Sequence, residues 1–422
     1  MPSRLLFFTI LASLIALPAC GPLHPPAAPT TTLAAATASL PPVPTAAIPS
    51  TATPGSSISS ASAIWELHIF DANNGWAWAS DLKGANNFLL RTSDGGQTWS
   101  DLTPRAFSFT SQGSSFLDPQ TAWLATYDQN TNSSGLIRTT DGGRSWTVFD
   151  RAVQPFASYH FLSSTYGFAQ TADVGAGNAY VNLYESSDGG RSWSQVIMNS
   201  PYPATYLPPG TIHLCNICGD ELNYLPPGKI LITYGDLAND PGGTVRLSLT
   251  QNLGRSWLDL KLPLPSKDLA AGLIEPLAPV FFSRLNGFLP AISMKPRATG
   301  GFDFRVLFLY ETSDGGSTWI LKQGMVQDVS AYRAELVFVS PKDAWVVCGQ
   351  DLCVTHDGGA TWQSITPDIN FGADSTDRFP FQLAFANALT GWVVIADKNT
   401  YLLYKTENGG SNWSELPLKV VP

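Results

Sequence analysis

An all-β chain of seven four-stranded units is what this sequence predicts, and three observations carry the expectation. First, one octapeptide recurs seven times: TSDGGQTW, TTDGGRSW, SSDGGRSW, TQNLGRSW, TSDGGSTW, THDGGATW and TENGGSNW. Its third position is Asp94, Asp141, Asp188, Asn252, Asp314, Asp357 and Asn408, so the intervals are 47, 47, 64, 62, 43 and 51 residues. Second, a hairpin pattern stands upstream of each copy, as in IFDANNGWAWAS, SFLDPQTAWLAT and AFANALTGWVVI: apolar residues, a short polar turn, then another apolar or aromatic run. Third, charged residues are only 14% of the chain, against about 25% in an average globular protein. A period near 40–50 residues built of short strands is that of a propeller blade, so the expectation is a seven-bladed β-propeller of four-stranded antiparallel blades.

Within each unit the strands follow in order. The hairpin supplies the first two, and a third (NFLLR, NLYES, LFLYE, YLLYK) runs up to the octapeptide with partly alternating apolar and polar residues. The fourth begins at the Trp that closes the octapeptide: Trp99, Trp146, Trp193, Trp257, Trp319, Trp362 and Trp413. No convincing amphipathic helix interrupts the series. The first and last units are in phase, so each can be complete without exchanging a strand.

The residues before the repeats read differently. Residues 1–20, MPSRLLFFTILASLIALPAC, resemble a bacterial lipoprotein signal, which implies cleavage before Cys20 and lipidation of its thiol and new amine. Residues 21–63 contain no Asp, Glu, Lys or Arg and no periodicity able to bury a face. They read as a disordered Pro/Thr/Ala/Ser-rich tether, spanning roughly 35 to 130 Å between coil and extended limits. Residues 64–422 are the expected propeller. The protein is therefore expected to be extracytoplasmic, lipid-anchored to a bacterial membrane and monomeric. A net charge of −9 disfavours nucleic acid as a partner.

The pattern Ser/Thr-x-Asp-x-Gly-x-Thr/Ser-Trp resembles the Asp-box, or bacterial neuraminidase repeat, of sialidases, xyloglucanases, sortilin-type receptors and photosystem II assembly factors. With Gly-Trp-Ala upstream it is most similar to the photosystem II stability and assembly factor family, over essentially all of residues 64–422. That resemblance implies a non-enzymatic scaffold binding a protein or a surface polymer. It is incomplete, because those factors engage partners through clustered arginines and no such cluster is visible along this acidic chain.

The repeated turn reads as a structural staple. Its Asp can accept hydrogen bonds from the Gly-rich loop and from the Ser/Thr hydroxyl, while Gly supplies positive φ. Asn252 and Asn408 can accept the same bonds but cannot act as a general acid or a good metal ligand. Hence no catalytic residue, metal or cofactor is expected. The alternative is a sialidase-like exo-glycosidase, which requires an arginine triad, a Tyr nucleophile with its Glu partner and an Asp acid/base. Arg91 and Arg138 precede repeats at corresponding positions, away from a central clamp, and Arg284, Arg297, Arg305 and Arg333 follow no recognisable spacing.

Apart from Cys20 the cysteines are Cys215, Cys218, Cys348 and Cys353. CNIC and CGQDLC fall in units four and six, too far apart around a ring for one zinc site, so two local disulfides are expected in an exported protein. The enlarged middle units carry long segments, where rigid scaffolds often place recognition residues. Tyr202, Tyr206, Asp220, Glu221, Arg297 and Arg305 are the candidate binding side chains there.

Overall fold

The computed structural model describes residues 47–49, 63–81, 86–105, 108–128, 133–149, 158–175, 178–198, 221–225, 229–235, 245–252, 256, 258–263, 273–296, 302–329, 336–371, 377–398 and 400–421. The described residues are strands, turns and irregular chain, without a helix. The strands form seven antiparallel sheets in sequence order. Sheet 1 holds Ala63–Ile69, Gly75–Ser80, Asn87–Thr92 and Trp99–Asp101. Sheet 2 holds Ser108–Phe116, Ala122–Asp128, Ser133–Thr139 and Ser145–Phe149, and sheet 3 holds Ser158–Phe161, Gly167–Gly175, Asn178–Ser186 and Ser194–Met198. Sheet 4 is Glu221–Leu225, Lys229–Gly235, Val245–Thr250 and Leu258–Lys261.

In sheet 5 two short pieces, Leu273–Pro276 and Val280–Phe281, both pair with Gly287–Pro296, followed by Phe302–Thr312 and Ile320–Gln327. Sheet 6 is Val337–Phe338, Ala344–Cys348, Asp351–Thr355 and Gln363–Ile365; sheet 7 is Arg378–Phe385, Gly391–Asp397, Thr400–Thr406 and Ser414–Glu415. Each sheet is a meander, with sequence neighbours paired. The all-β organisation is that expected from the repeat.

Two chain segments add to this plan. Val420–Val421 pairs in parallel with Trp99–Asp101 and so becomes a fifth strand of sheet 1. Sheets 1 and 7 each have four strands of their own, but the C-terminal residues still cross back to the first sheet. Ala47–Pro49, inside the segment expected to be an unstructured tether, pairs antiparallel with Ser145–Phe149 of sheet 2. Both additions exploit a sheet edge, whose free backbone groups accept a strand of almost any sequence. No side-chain pattern is needed, and none is visible in either segment.

The core lies between consecutive sheets. Trp123 of sheet 2 stacks on Phe161 of sheet 3 at 3.8 Å, Phe288 of sheet 5 on Phe338 of sheet 6 at 5.2 Å, and Trp345 of sheet 6 on Phe385 of sheet 7 at 4.2 Å. Sheet 7 packs in the same way on sheet 1: Ile64, Leu67, Leu90 and Trp99 share one cluster with Trp392, Val394 and Leu403. Gln382 seals this junction by accepting from the Leu67 N–H at 2.6 Å and donating to the Leu67 carbonyl at 2.8 Å.

Candidate functional site

A four-stranded meander places its first and third turns at one end. The two turns are joined there. The N–H of Gly95, Gly142, Gly189, Gly315, Gly358 and Gly409 donates to the carbonyl of Asn73, Gln120, Thr165, Leu285, Lys342 and Leu389, at 2.8 to 2.9 Å. Both glycines of each of these six turns have positive φ, for example 71° at Gly95 and 91° at Gly96. A side chain at Gly95 would also place its Cβ 2.6 Å from the Ala72 carbonyl oxygen.

The hydrogen bonds of the turn repeat almost atom for atom. In sheet 1, Asp94 Oδ1 accepts from the Thr98 N–H and the Thr92 hydroxyl at 2.9 Å, and Oδ2 accepts from the Thr98 hydroxyl at 2.6 Å. Thr92 Oγ1 in turn accepts from the Gly96 N–H at 2.8 Å. Asp141, Asp188, Asp314 and Asp357 make the same set with Ser145, Ser192, Thr318 and Thr361. Where Asn replaces Asp, one donor reverses: Asn252 Nδ2 donates to Ser256 Oγ and Asn408 Nδ2 to Asn412 Oδ1, both at 2.8 Å. The hydroxyl or amide seven places into the repeat serves either polarity.

That reversibility leads to a prediction. Asp94→Asn should barely shift the denaturation midpoint, whereas Asp94→Ala, which strands the Thr98 N–H and two hydroxyls, should cost roughly 1 to 3 kcal/mol. Equal losses for the two variants in urea melts would show that the carboxylate does something an amide cannot. Burial pushes the Asp94 carboxyl up, but hydrogen bonds from Thr98 and Thr92 more than offset it, and its pKa is lowered. For Asp357 the bonds from Thr361 dominate and lower it from 3.8 to about 2. A folded-state pKa below the unfolded one gives stability that is complete above the unfolded value and lost as pH falls through the folded value. The Asp357 contribution therefore disappears between about pH 4 and pH 2.

On the same rim, the seams between sheets carry the charged chemistry. Register sets Arg91 opposite Trp76 in sheet 1 and Arg138 opposite Trp123 in sheet 2. Each guanidinium lies over its indole, at 5.9 and 4.8 Å from the ring centre, a favourable cation–π placement. Each also reaches across to the next sheet's turn: a methyl on Gly142 would come within 2.6 Å of Arg91 Nη1, and one on Gly189 within 2.6 Å of Arg138 Nη1. The Trp123 indole donates to the Gly189 carbonyl at 2.9 Å, as Trp345 does to Gly409 at 3.1 Å and Trp392 to Gly95 at 3.0 Å. The tryptophan of the upstream hairpin is thus a latch onto the following sheet.

Arg144 and Arg191, exposed on those next turns, add positive charge to the surroundings of Arg91 and Arg138. Burial, then the charge of Arg144, lowers the Arg91 pKa; burial, then Arg191, lowers that of Arg138, with Asp118 opposing. Nε of Arg91 and of Arg138 is buried with no hydrogen-bond partner among the described residues. The arginines are not repeated on either side. In sheet 3 the same register position is Glu185, opposite Phe168, its carboxyl pushed up by burial. In sheet 7 it is Lys405, a cation placed in the same way, 5.6 Å from the centre of the Trp392 ring and against the Gly95 turn of sheet 1, and also paired with Glu407 at 2.9 Å.

The expectation that no arginine cluster is visible in sequence is qualified by this placement: Arg91 reaches the turn that carries Arg144, and Arg138 the turn that carries Arg191, because the third strand of one sheet faces the Asp turn of the next. The signal was present in the Arg91 and Arg138 positions and in the two DGGRSW copies. Only the handedness of stacking, which sheet's turn covers which sheet's third strand, was missing.

Of the candidate binding residues of the middle units, the two that are described, Glu221 and Arg305, are not on this rim. Tyr202, Tyr206, Asp220 and Arg297 lie outside the described residues, as do Cys20, Cys215, Cys218 and Trp257. Glu221 begins the first strand of sheet 4, and half-buried Arg305 lies on the third strand of sheet 5, where its carbonyl accepts from the Val329 N–H at 3.4 Å. Met198, Glu221, Leu273, Pro296 and Phe302, the strand ends flanking the three long segments, all fall at the end opposite the Asp turns. Cys348 and Cys353 form a disulfide across the second hairpin of sheet 6, at that same opposite end. Among the described residues no group of three or more His, Cys, Asp or Glu is placed to hold a metal ion.

No protein-family model and no curated protein matches this sequence. Solved structures of similar shape include YCF48 bound to a D1 peptide, with 17% identity, a TM-score of 0.48, and coverage of 87% of this chain and 98% of that one. They also include an ulvan lyase of polysaccharide lyase family PL25, with 11% identity, a TM-score of 0.49 and coverage of 83% and 95%. A GH74 xyloglucanase from Xanthomonas campestris has 15% identity, a TM-score of 0.35 and coverage of 88% and 69%. Likenesses this distant carry no argument about activity.

Proposed function

We propose that residues 64–422 form a closed seven-bladed β-propeller, held outside the cytoplasm by a lipid on Cys20, which binds an anionic partner without chemistry. Seven sheets in sequence order, with sheet 7 packed against sheet 1, support the ring. The observation that carries the binding reading is that Arg91 Nη1 and Arg138 Nη1 lie against the Gly142 and Gly189 turns, which carry Arg144 and Arg191, in a protein of net charge −9. Neighbouring guanidiniums repel, and a carboxylate seated between them offsets that cost while its two oxygens match the planar N–H forks. The Asp turns are the scaffold. Their carboxylates are each held by at least three hydrogen bonds from their own loop, as at Asp94.

The partner is a protein with an acidic segment or an acidic surface polymer. Titrating the full chain in detergent with a glutamate-rich peptide and, separately, with a polyuronate distinguishes the two, and binding of either should weaken as salt screens the contact. Failure of both probes at low salt would remove the arginine reading. Turnover of a fluorogenic sialoside would replace it with the sialidase-like alternative. For the anchor, Cys20→Ala should move the protein from the membrane fraction to the soluble one and abolish labelling by a palmitate analogue; unchanged fractionation would leave a secreted form.

A further inference from the structure

The outer edges of sheets 1 and 2 are occupied and those of the other described sheets are not extended in this way. We propose that the outer edge of sheet 2 is a docking surface for the chain's own tether, and that docking of residues 47–49 there sets the length of chain between Cys20 and the domain. The pairing is explicit: Ala47 lies opposite Thr147, Ile48 opposite Trp146 and Pro49 opposite Ser145. Ser145 is nearer the Asp141 turn than Thr147 is, so the tether runs along the edge toward the turn end.

The tryptophans that begin the fourth strands differ in exposure with the state of their edge. Trp99, beneath Val420–Val421, and Trp146, beneath Ala47–Pro49, are each 1% exposed. Where no strand is added, Trp319 and Trp413 are 7% and 6% exposed and Trp193 and Trp362 only half-buried. The strap is also built to release. It is three residues long, and Pro49 has no N–H to donate. Its recognition is through the backbone, so the edge selects an extended, uncharged segment rather than a particular sequence.

Docking leaves residues 21–46 as the link to Cys20, whereas release leaves residues 21–62. At about 3.3 Å per extended residue the limit of reach falls from roughly 140 Å to roughly 85 Å on docking. This length consequence rests on the lipid anchor proposed above; the docking does not.

Ala47→Pro with Ile48→Pro puts three prolines in a row and removes every donor from the strap. Hydrogen exchange on the full chain should then show residues 145–149 exchanging ~10-fold faster or more, with residues 99–101 unchanged as the internal sign that the domain is folded. Equal exchange at residues 145–149 in the two proteins would overturn the docking. The same comparison in a Cys20→Ala background gives the same result whether or not Cys20 carries a lipid. On lipidated protein in vesicles of neutral lipid, energy transfer from a labelled domain to a bilayer dye should fall in the proline variant. Unchanged transfer there would overturn the length-setting role.

Discussion

Trp99→Ala is expected to destabilise the protein by about 3 to 5 kcal/mol, the range for emptying a buried aromatic site. Trp99 is 1% exposed, and its ring belongs to the cluster that joins sheet 1 to sheet 7, alongside Leu90, Trp392 and Val394. Its indole N–H donates to the Gly96 carbonyl at 3.1 Å, so truncation also leaves an acceptor inside the turn unpaired. On its other side the Trp99 N–H takes the Lys419 carbonyl at 2.9 Å. The loss therefore weakens the junction between the first and last sheets from within. Urea denaturation at neutral pH measures it. A loss below about 1 kcal/mol would mean that this junction contributes little, as in an open array of sheets. Trp193→Ala, at a half-buried repeat of the same position, should cost distinctly less.

Reversing the charge of Arg91 and Arg138 should have the largest effect on binding. Hydrogen bonds to charged groups contribute about 1.5 to 3 kcal/mol each, so Arg91→Glu combined with Arg138→Glu should weaken an acidic probe by about a hundredfold or more. Arg138→Lys keeps the charge and loses the planar fork, and a loss of roughly tenfold separates bidentate recognition from simple attraction. The variants must be compared at matched stability, because each guanidinium also covers an indole. Undiminished affinity in the double reversal, in a protein that melts normally, would move the binding surface elsewhere, and the end that carries Glu221 and Arg305 would be examined next.

The sequence by itself determined the repeat, its count, the all-β class and the chemistry open to the turn. The physical reason is range: Thr92, Asp94, Gly96 and Thr98 satisfy one another within a few residues, so composition and spacing already contain the partners. Asn252 and Asn408 were informative for the same reason, since an amide completes the same local set of bonds. Tertiary structure alone decided the rest. Arg91 reaches the Gly142 turn, and Trp123 finds the Gly189 carbonyl, only once neighbouring sheets stack in one sense, a choice made by strand twist and seam packing over dozens of residues. The strand at Ala47–Pro49 was least visible of all, because a sheet edge binds backbone, and backbone is the one feature every sequence shares.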